Sequence, residues 1–226
     1  MIDLPPEAAL VANTPRLRLV PVTPADAEEM FVILNDQRLH RHIGGLPPAQ
    51  AELAERYRAL SARRSADGRE VLLTWLVRLV PLGEAIGEVR AAVTDEGVAC
   101  IGCTVGHRYW GHGFAGEALV AMARLLETHL FVTTLEALVP PGHDAGQRVA
   151  AGLGMKRDGQ GAGGWDRWLG KTALAFELAG QPAVPKSIRR PRRSRRAAPA
   201  PAKAAAAPAV RRRPAAPATR GRRRGS

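Results

Sequence analysis

The sequence has few cysteines and no long uncharged apolar run, and each shortage narrows the classes of protein that fit. Only two cysteines occur in 226 residues, which excludes a disulfide framework and fits a reducing compartment. The longest apolar stretches, such as VLLTWLVRLV (71–80), are too short to span a bilayer and contain Arg78. The first residues lack the basic segment and apolar run of a signal peptide. We therefore expect a soluble, cytoplasmic protein that does not bind membranes.

Acidic residues are absent from residue 186 onward, where the chain has two lysines and thirteen arginines. The other 18 of the 33 basic residues stand against 21 acidic residues before residue 186, which leaves the body near −3 and the tail near +15. The tail consists mainly of Pro, Ala and Arg and has little to bury, so we expect disorder. We predict an N-terminal extension (1–12), a folded domain (13–180) and a disordered basic tail (181–226).

Clustered arginine without acidic neighbours is typical of segments that bind polyanions through phosphate contacts. No aromatic residues lie between the arginines to stack on bases. This pattern predicts non-specific, salt-sensitive contact of residues 186–226 with nucleic acid or the ribosome. A low-complexity extension without any partner fits the composition equally well, and both interpretations stay open.

The body alternates between strand and helix patterns, and the turn TDEG (94–97) suits an antiparallel hairpin. Thr23 and Pro24 are typical of a helix start, and Leu53, Tyr57 and Leu60 share one face of a second helix. The histidine-rich segment 38–45 is predicted as a loop, where a solvated position of His40 and His42 is favoured over a functional one. We therefore predict an α+β domain with a mixed, mostly antiparallel central sheet flanked by helices. The predicted strands are 16–22, 72–80, 84–93, 99–106, 135–140 and a closing region 165–178. The predicted helices are 27–36, 49–64 and 144–154, together with one that follows the glycine-rich stretch within 108–129.

The stretch RYWGHGFAGEALVAMARLLE (108–127) has three glycines and an alanine before an apolar helix. The first N–H groups of a helix attract negative charge, and missing side chains let a phosphate approach them. The spacing Gly-x-Gly-x-x-Gly also matches a dinucleotide fingerprint, but such fingerprints usually lie in an early strand–turn–helix unit, whereas the strands before this stretch have the pattern of an antiparallel meander. A tight turn with close helix–sheet packing is the third interpretation.

The order of elements around this stretch resembles motif A of the GNAT acetyltransferases, which binds the pyrophosphate of acetyl-CoA with backbone amides. YWGHGFAGEAL is similar to the WGxGxAxEAL run of the ribosomal-protein-alanine acetyltransferase-like branch. TPRLRLVPVTPADAEEMFVILND resembles the opening of that branch, and RVAAGLGMKRDG resembles its motif B. The resemblance covers about residues 13–178. It implies the GNAT acyl-CoA N-acyltransferase fold and acetyl-CoA as cosubstrate.

The resemblance also implies which residues hold acetyl-CoA. In the family, a splayed strand offers an amide near the thioester, and the matching position is Val105. The side chain of Arg108 adds charge beside the turn, unless it is an ordinary surface arginine. The remaining cofactor-binding positions lie in the glycine-rich turn, namely Gly111, His112, Gly113, Phe114 and Ala115.

Three polar positions of the branch are replaced in this sequence. A glutamate often discussed as the base corresponds to Cys100, and the Asn and Ser of motif B correspond to His143 and Gly146. His143 is a candidate acid or base because imidazole titrates near neutral pH, although a solvated loop histidine is the favoured alternative. Glu88 is a second catalytic candidate, with a solvent-facing strand position as an equal alternative.

The resemblance predicts direct transfer of acetyl to a primary amine, either a protein N-terminus or a small amine, in a ternary complex without an acyl-cysteine. The replaced positions motivate an alternative, a degenerate domain that works as a CoA-binding or nucleic-acid-tethered protein. Cys100 and Cys103 are three apart in a predicted strand and so point to opposite faces. We therefore predict neither a redox pair nor a metal site.

Overall fold

The computed structural model describes residues 2–173 of the chain. The closing part of the predicted strand region 165–178 and the whole basic tail 181–226 lie outside these residues. Five helices and eight strands make up the described part. The helices are α1 (Ala27–Leu34), α2 (Gln37–Ile43), α3 (Gln50–Leu60), α4 (Phe114–Leu130) and α5 (Asp144–Gly152), and the strands are β1 (Ala12–Asn13), β2 (Leu17–Pro21), β3 (Val71–Leu79), β4 (Ala85–Val93), β5 (Val98–Val105), β6 (Thr134–Val139), β7 (Lys156–Gln160) and β8 (Asp166–Lys171).

The strands form one sheet in the order β1-β2-β3-β4-β5-β6-β8-β7. β5 and β6 pair in parallel, whereas the other neighbours pair antiparallel. α4 connects the two parallel strands, as a parallel crossover requires. The predicted α+β fold with a mixed, mostly antiparallel sheet is therefore confirmed.

Helices cover both faces of the sheet. α4 and α5 pack with the inward residues of β2 to β6 in the larger apolar cluster, which includes Trp75, Met122 and Leu126. α1, α2 and α3 pack on the other face, where Met30 and Tyr57 are fully buried. Within residues 2–173, no helix is both long and apolar enough to cross a membrane.

Local signals account for several element boundaries. Thr23 and Asp26 form a capping box, and Pro24 opens a short 3-10 turn that leads into α1. The TDEG turn closes the predicted hairpin between β4 and β5, with the Thr94 N–H donating to the Val98 carbonyl at 2.9 Å. The N-terminal extension packs on the domain, since Leu10 is buried and its carbonyl accepts the Trp75 indole N–H at 2.7 Å.

Three segments differ from the sequence-based prediction, and one of them is the two-residue strand β1, where no strand is predicted. Residues 37–43 form α2 and not a loop, because the Asp36 carboxylate caps the helix by accepting the Arg38 N–H at 2.9 Å. His40 is half-buried, and its Nε2 lies 2.9 Å from the Leu34 carbonyl oxygen. The strand β7 was not predicted, because all five of its residues are exposed and carry no apolar alternation.

Candidate active site

A gap opens between the two parallel strands at the centre of the sheet. β5 and β6 pair only where Val98–Ile101 lies beside 134–137. Beyond that point β5 continues to Val105 and β6 to Val139 without pairing to each other. Backbone groups that face this gap lack a partner strand, so an extended ligand can hydrogen-bond between the strands.

At the end of β5, the backbone N–H and C=O of Val105 face the gap. The Gly106 N–H donates to the Ile86 carbonyl at 2.8 Å, so the backbone of Gly106 faces β4. Successive residues of a strand direct their N–H and C=O groups to opposite edges, and those of Val105 therefore face the gap. The Val105 carbonyl accepts the Trp110 indole N–H at 2.6 Å, which leaves the Val105 N–H as the donor offered to a ligand.

The glycine-rich turn follows directly after the end of β5. Gly111 and Gly113 have φ values of 79° and 77°, a left-handed conformation that favours glycine. A Cβ on Gly111 would meet no atom within 4 Å, and one on Gly113 would meet only Arg16 Nη2 at 3.7 Å. Close packing with the described part of the chain therefore does not explain the missing side chains. Open space beside both glycines gives a ligand room to reach the backbone.

The amides at the start of α4 complete an anion site. The Glu117 N–H donates to the Gly113 carbonyl at 3.2 Å as the first bond of the helix, so the earlier N–H groups point out of its end. These donors and the positive end of the helix dipole attract a phosphate. A Cβ on Gly116 would meet no atom within 4 Å, so close helix–sheet packing does not require this glycine either.

The side chains around the turn differ in their contacts and exposure. The His112 ring stacks on Phe114 with 5.7 Å between ring centroids, and its Nδ1 lies 2.9 Å from the Trp110 carbonyl oxygen. Arg108 lies in the 3-10 turn His107–Tyr109 just before the glycines, with its side chain exposed. The predicted positions Gly111 to Ala115 run from the turn into the first residues of α4, and Arg108 lies three residues before Gly111.

Glu88 is buried on β4, contrary to a solvent-facing position. It is only 4% exposed and lies opposite Thr104 of β5, one residue before Val105. Its Oε2 accepts the Tyr57 hydroxyl at 2.7 Å, and its Oε1 lies 3.3 Å from Arg56 Nη2. A carboxylate needs such partners when it leaves water, and here they hold it on the face covered by α3.

Tyr57 and Arg56 are site residues that sequence reasoning missed. The sequence places Tyr57 on the apolar face of α3, and nothing in the local pattern indicates a contact with β4. Burial, together with the negative charge of Glu88, raises the pKa of Tyr57 far above its usual value. Its hydroxyl therefore keeps its proton and remains a hydrogen-bond donor to the carboxylate.

His143 precedes the first turn of α5, just after β6 ends. A Cβ on Gly146 would lie 2.8 Å from His143 Nδ1 and 3.0 Å from Val139 Cγ1. The imidazole thus lies over the backbone of Gly146, in a space that exists because this residue has no side chain. The two replacements in motif B are therefore coupled in the structure.

The predicted catalytic residues lie around the same gap but on opposite faces of the sheet. Glu88 belongs to the face of α1 and α3, next to the end of β5. His143 begins α5, which packs on the face of α4. An acyl group held at Val105 between β5 and β6 would have a carboxylate on one side and an imidazole on the other.

The two cysteines lie on opposite faces of β5, since Cys100 pairs with Ala92 and Cys103 with Val89. Burial and the nearby charge of Glu136 raise the pKa of Cys100 to about 11. Burial raises the pKa of Cys103 to about 12. Both thiols are therefore protonated and weakly nucleophilic near neutral pH. Among residues 2–173, no three His, Cys, Asp or Glu side chains form a metal-binding group.

Comparison with known proteins gives one family match. The model of the acetyltransferase (GNAT) domain matches residues 16–156. No curated protein matches the chain significantly.

Several solved structures share the fold. Aminoglycoside acetyltransferase AAC(6')-Ib in complex with coenzyme A is 22% identical, with a TM-score of 0.60, over 72% of this chain and 98% of that chain. A putative ribosomal-protein-serine acetyltransferase from Vibrio cholerae is 21% identical, with a TM-score of 0.60, over 72% and 97% of the two chains. Mycobacterium smegmatis RimJ in complex with CoA-disulfide is 23% identical, with a TM-score of 0.59, over 72% and 88%.

Proposed function

Because this chain belongs to the GNAT acetyltransferase family, we propose that it transfers acetyl from acetyl-CoA to a primary amine through the gap between β5 and β6. The observation that carries this proposal is the combination of the gap, the open space at Gly111 and Gly113, and the free end of α4. The gap at the end of β5, the glycine-rich turn and the start of α4 follow one another along the chain. A phosphate group at the turn and a thioester at Val105 would be joined by an extended pantetheine arm.

The turn holds the diphosphate of acetyl-CoA with the amides of residues 111–115 and the dipole of α4. The Val105 N–H donates to the thioester carbonyl oxygen and stabilises the negative charge that grows there during attack. The glycines fit this role because their missing side chains leave the backbone accessible. Arg108, exposed beside the turn, adds positive charge near the phosphates.

Proton transfer is assigned to Glu88 and His143. The neutral amine attacks the carbonyl carbon from the face of α3, and the proton it loses goes to the Glu88 carboxylate, directly or through water. The C–S bond then breaks, and the sulfur takes a proton from His143 on the other face. Both side chains afterwards exchange protons with solvent. The raised pKa values of Cys100 and Cys103 support direct transfer without an acyl-cysteine.

The acceptor is a primary amine, either a protein N-terminus or a small amine. Two of the structural neighbours support this range, since one is an aminoglycoside acetyltransferase and the other a putative ribosomal-protein-serine acetyltransferase. The similarity of YWGHGFAGEAL to the ribosomal-protein-alanine acetyltransferase-like branch favours a protein N-terminus. A peptide that begins with Ala or Ser is therefore the first acceptor to test.

The basic tail is proposed to bring this activity to a polyanion. Residues 186–226 carry fifteen positive charges and no acidic residue, which supports non-specific contact with nucleic acid or the ribosome. Both cysteines are free thiols, which supports a reducing compartment, the cytoplasm, as the place of action.

Titration of acetyl-CoA into the full chain by calorimetry tests the cofactor site. We expect micromolar binding that Gly113→Glu abolishes, because a carboxylate at that position repels the diphosphate and fills its space. Gly68→Glu is the matched control, since Gly68 also has a positive φ of 69° and nothing within 4 Å. Equal binding by all three proteins would place the cofactor elsewhere and refute the proposed site.

Release of CoA thiol in the presence of different amines tests the reaction. A panel of N-terminal Ala and Ser peptides, a polyamine and an aminoglycoside separates the acceptor classes. Turnover with any of them supports the enzyme. Tight acetyl-CoA binding without thiol release from any amine would favour the alternative of a degenerate, CoA-binding domain.

A further inference from the structure

Arg16 joins three separate parts of the chain next to the glycine-rich turn. It lies just before β2, and its Nη1 donates to the His112 carbonyl at 3.0 Å. Its Nε donates to Glu117 Oε2, in the first turn of α4, at 2.7 Å. Its guanidinium also lies 4.7 Å from the centroid of the Phe114 ring. One side chain therefore fixes the turn to both the sheet and the helix.

Glu117 holds Arg16 in this position. Its Oε1 accepts the Thr14 hydroxyl at 2.5 Å and the Arg16 backbone N–H at 3.2 Å, while Oε2 accepts Nε and Nη2 of the Arg16 guanidinium. Burial raises the pKa of Glu117, but the hydrogen bonds from Thr14 and Arg16 outweigh it and lower this pKa below its usual value. The carboxylate stays ionised, and the paired guanidinium has one planar orientation.

The contact with the His112 carbonyl determines where the next amide points. In a trans peptide the C=O and the following N–H point in opposite directions. The carbonyl of His112 is turned toward Arg16, so the N–H of Gly113 is turned away from that side chain. Because Gly111 and Gly113 have no Cβ, their backbone permits more than one orientation of this peptide. A hydrogen bond to the carbonyl selects a single orientation.

We propose that Arg16 is a positioning residue, which presets the Gly113 amide toward the diphosphate of acetyl-CoA. This inference rests on the proposed function, since it requires the diphosphate to bind at the turn. The charge of Arg16 is already paired with Glu117, so it acts through the geometry of its two-pronged hydrogen bonding. Pre-organised donors bind an anion without first having to reorient.

The test compares two ligands that differ in the diphosphate. Binding of CoA and turnover of acetyl-CoA depend on the turn, whereas acetyl-pantetheine carries the same thioester without the nucleotide. We expect Arg16→Gln to weaken CoA binding and raise KM for acetyl-CoA about tenfold, the size of one hydrogen bond. Both kcat and the kcat/KM for acetyl-pantetheine should change less than about twofold. Arg18→Gln is the control, because Arg18 is an exposed arginine of β2, two residues further along the chain.

Arg16→Lys tests whether the geometry or only the charge of Arg16 matters. Glu117→Gln provides a test that does not depend on whether Arg16→Gln folds. Arg16→Lys keeps the charge but cannot reach Glu117 and the His112 carbonyl together, so it should not restore CoA binding. Full rescue by lysine would overturn the proposal, as would an equal loss for both thioesters. Glu117→Gln keeps its shape and one acceptor oxygen, and it should weaken CoA binding about threefold even if Arg16→Gln fails to fold.

Two negative results for CoA binding would have different consequences. If the unmodified chain bound no CoA, the proposed function would fall and this inference with it. If the unmodified chain bound CoA normally and Arg16→Gln bound it equally well, only the inference would fall.

Discussion

The burial of Glu88 and its hydrogen-bond partners depend on which helix covers its face of β4. Alternation along β4 fixes which face its side chain takes, but not whether a helix covers that face. α3 crosses there, and its Arg56 and Tyr57 supply the partners that a buried carboxylate requires. Because both partners are donors, the carboxylate oxygens are held in place beside Thr104.

Replacing Glu88 separates its chemical role from its structural one. In Glu88→Gln the volume is kept and the amide oxygen still accepts the Tyr57 hydroxyl. We expect kcat to fall about 10²- to 10⁴-fold, as for the loss of a general base, with acetyl-CoA affinity unchanged. Tyr57→Phe should instead cost about 1–3 kcal/mol of unfolding free energy, because it removes a buried hydrogen bond.

Glu29→Gln is the matched control for the loss of a carboxylate. Glu29 also accepts hydrogen bonds from an arginine and a backbone N–H, those of Arg78 and Ala85, but it lies on α1 away from the gap. Steady-state kinetics and urea unfolding measure the two effects. If Glu88→Gln lowered stability and left kcat unchanged, Glu88 would be a purely structural carboxylate.

At the scale of elements, the sequence predicts those whose burial leaves a periodic pattern. The strands β3, β4 and β5 and the helix α4 are flanked by clear turn signals and carry strong apolar runs. β7 carries no such run because it is an exposed edge strand. α2 is missed because its sequence, QRLHRHI, has only two apolar residues, which leaves the capping residue Asp36 as its main signal.

In the candidate site, features that are local in sequence can also be predicted, whereas features that depend on tertiary packing cannot. The glycine-rich turn is local in sequence, and its left-handed backbone conformation follows from the glycines, whereas the open space around it depends on the tertiary structure. The Tyr57 and Glu88 contact spans 31 positions and depends on how α3 crosses the sheet. The parallel pairing of β5 with β6, which creates the gap, is likewise a tertiary property.

The first turn of α5 offers a test of His143 that leaves the imidazole itself intact. In Gly146→Ser the new Cβ would lie 2.8 Å from His143 Nδ1, so the ring must move. We expect kcat to fall about tenfold to a hundredfold, at or below the lower end of the range for losing a general acid. Acetyl-CoA affinity should change less than about twofold, because the turn at Gly111 is not affected.

Gly152→Ser controls for a new side chain in the same helix. Gly152 is the last residue of α5, and a Cβ there would meet no atom within 4 Å. Its kinetics should match those of the unmodified chain. Unchanged kcat in Gly146→Ser would show that the position of the imidazole does not matter, and His143 would lose its assignment as the acid.

At the scale of the whole molecule, charge is divided between two parts of the sequence. The body before residue 186 has a slight acidic excess, and the tail has all of the positive excess. A net charge of +12 for the chain therefore describes neither part. In the proposed function, long-range attraction to polyanions is assigned to the tail, and acetyl transfer is assigned to the gap in the sheet.

Neutralising part of the tail tests whether the two activities are separable. In a variant with six tail arginines changed to glutamine (Arg189, Arg190, Arg192, Arg193, Arg195 and Arg196), fewer phosphates can be neutralised. The slope of log K against log salt is negative, and each lost phosphate contact reduces its magnitude by about 0.9 for duplex DNA. We expect the unmodified chain to bind duplex DNA and ribosomal RNA without sequence preference, and the variant to bind more weakly with a shallower salt dependence.

Acetylation of a short peptide provides the internal control for the tail variant, because a small acceptor needs no tether. Its kcat/KM should be the same for the variant and the unmodified chain at every salt concentration. Acetylation of ribosome-bound protein should instead fall in the variant, and the difference should disappear at high salt, where counterions screen the tail. If both proteins bound RNA equally and with the same slope, the tail would be an extension without this function. If the peptide reaction also fell in the variant, the tail would act on the catalytic domain itself and not on the polyanion.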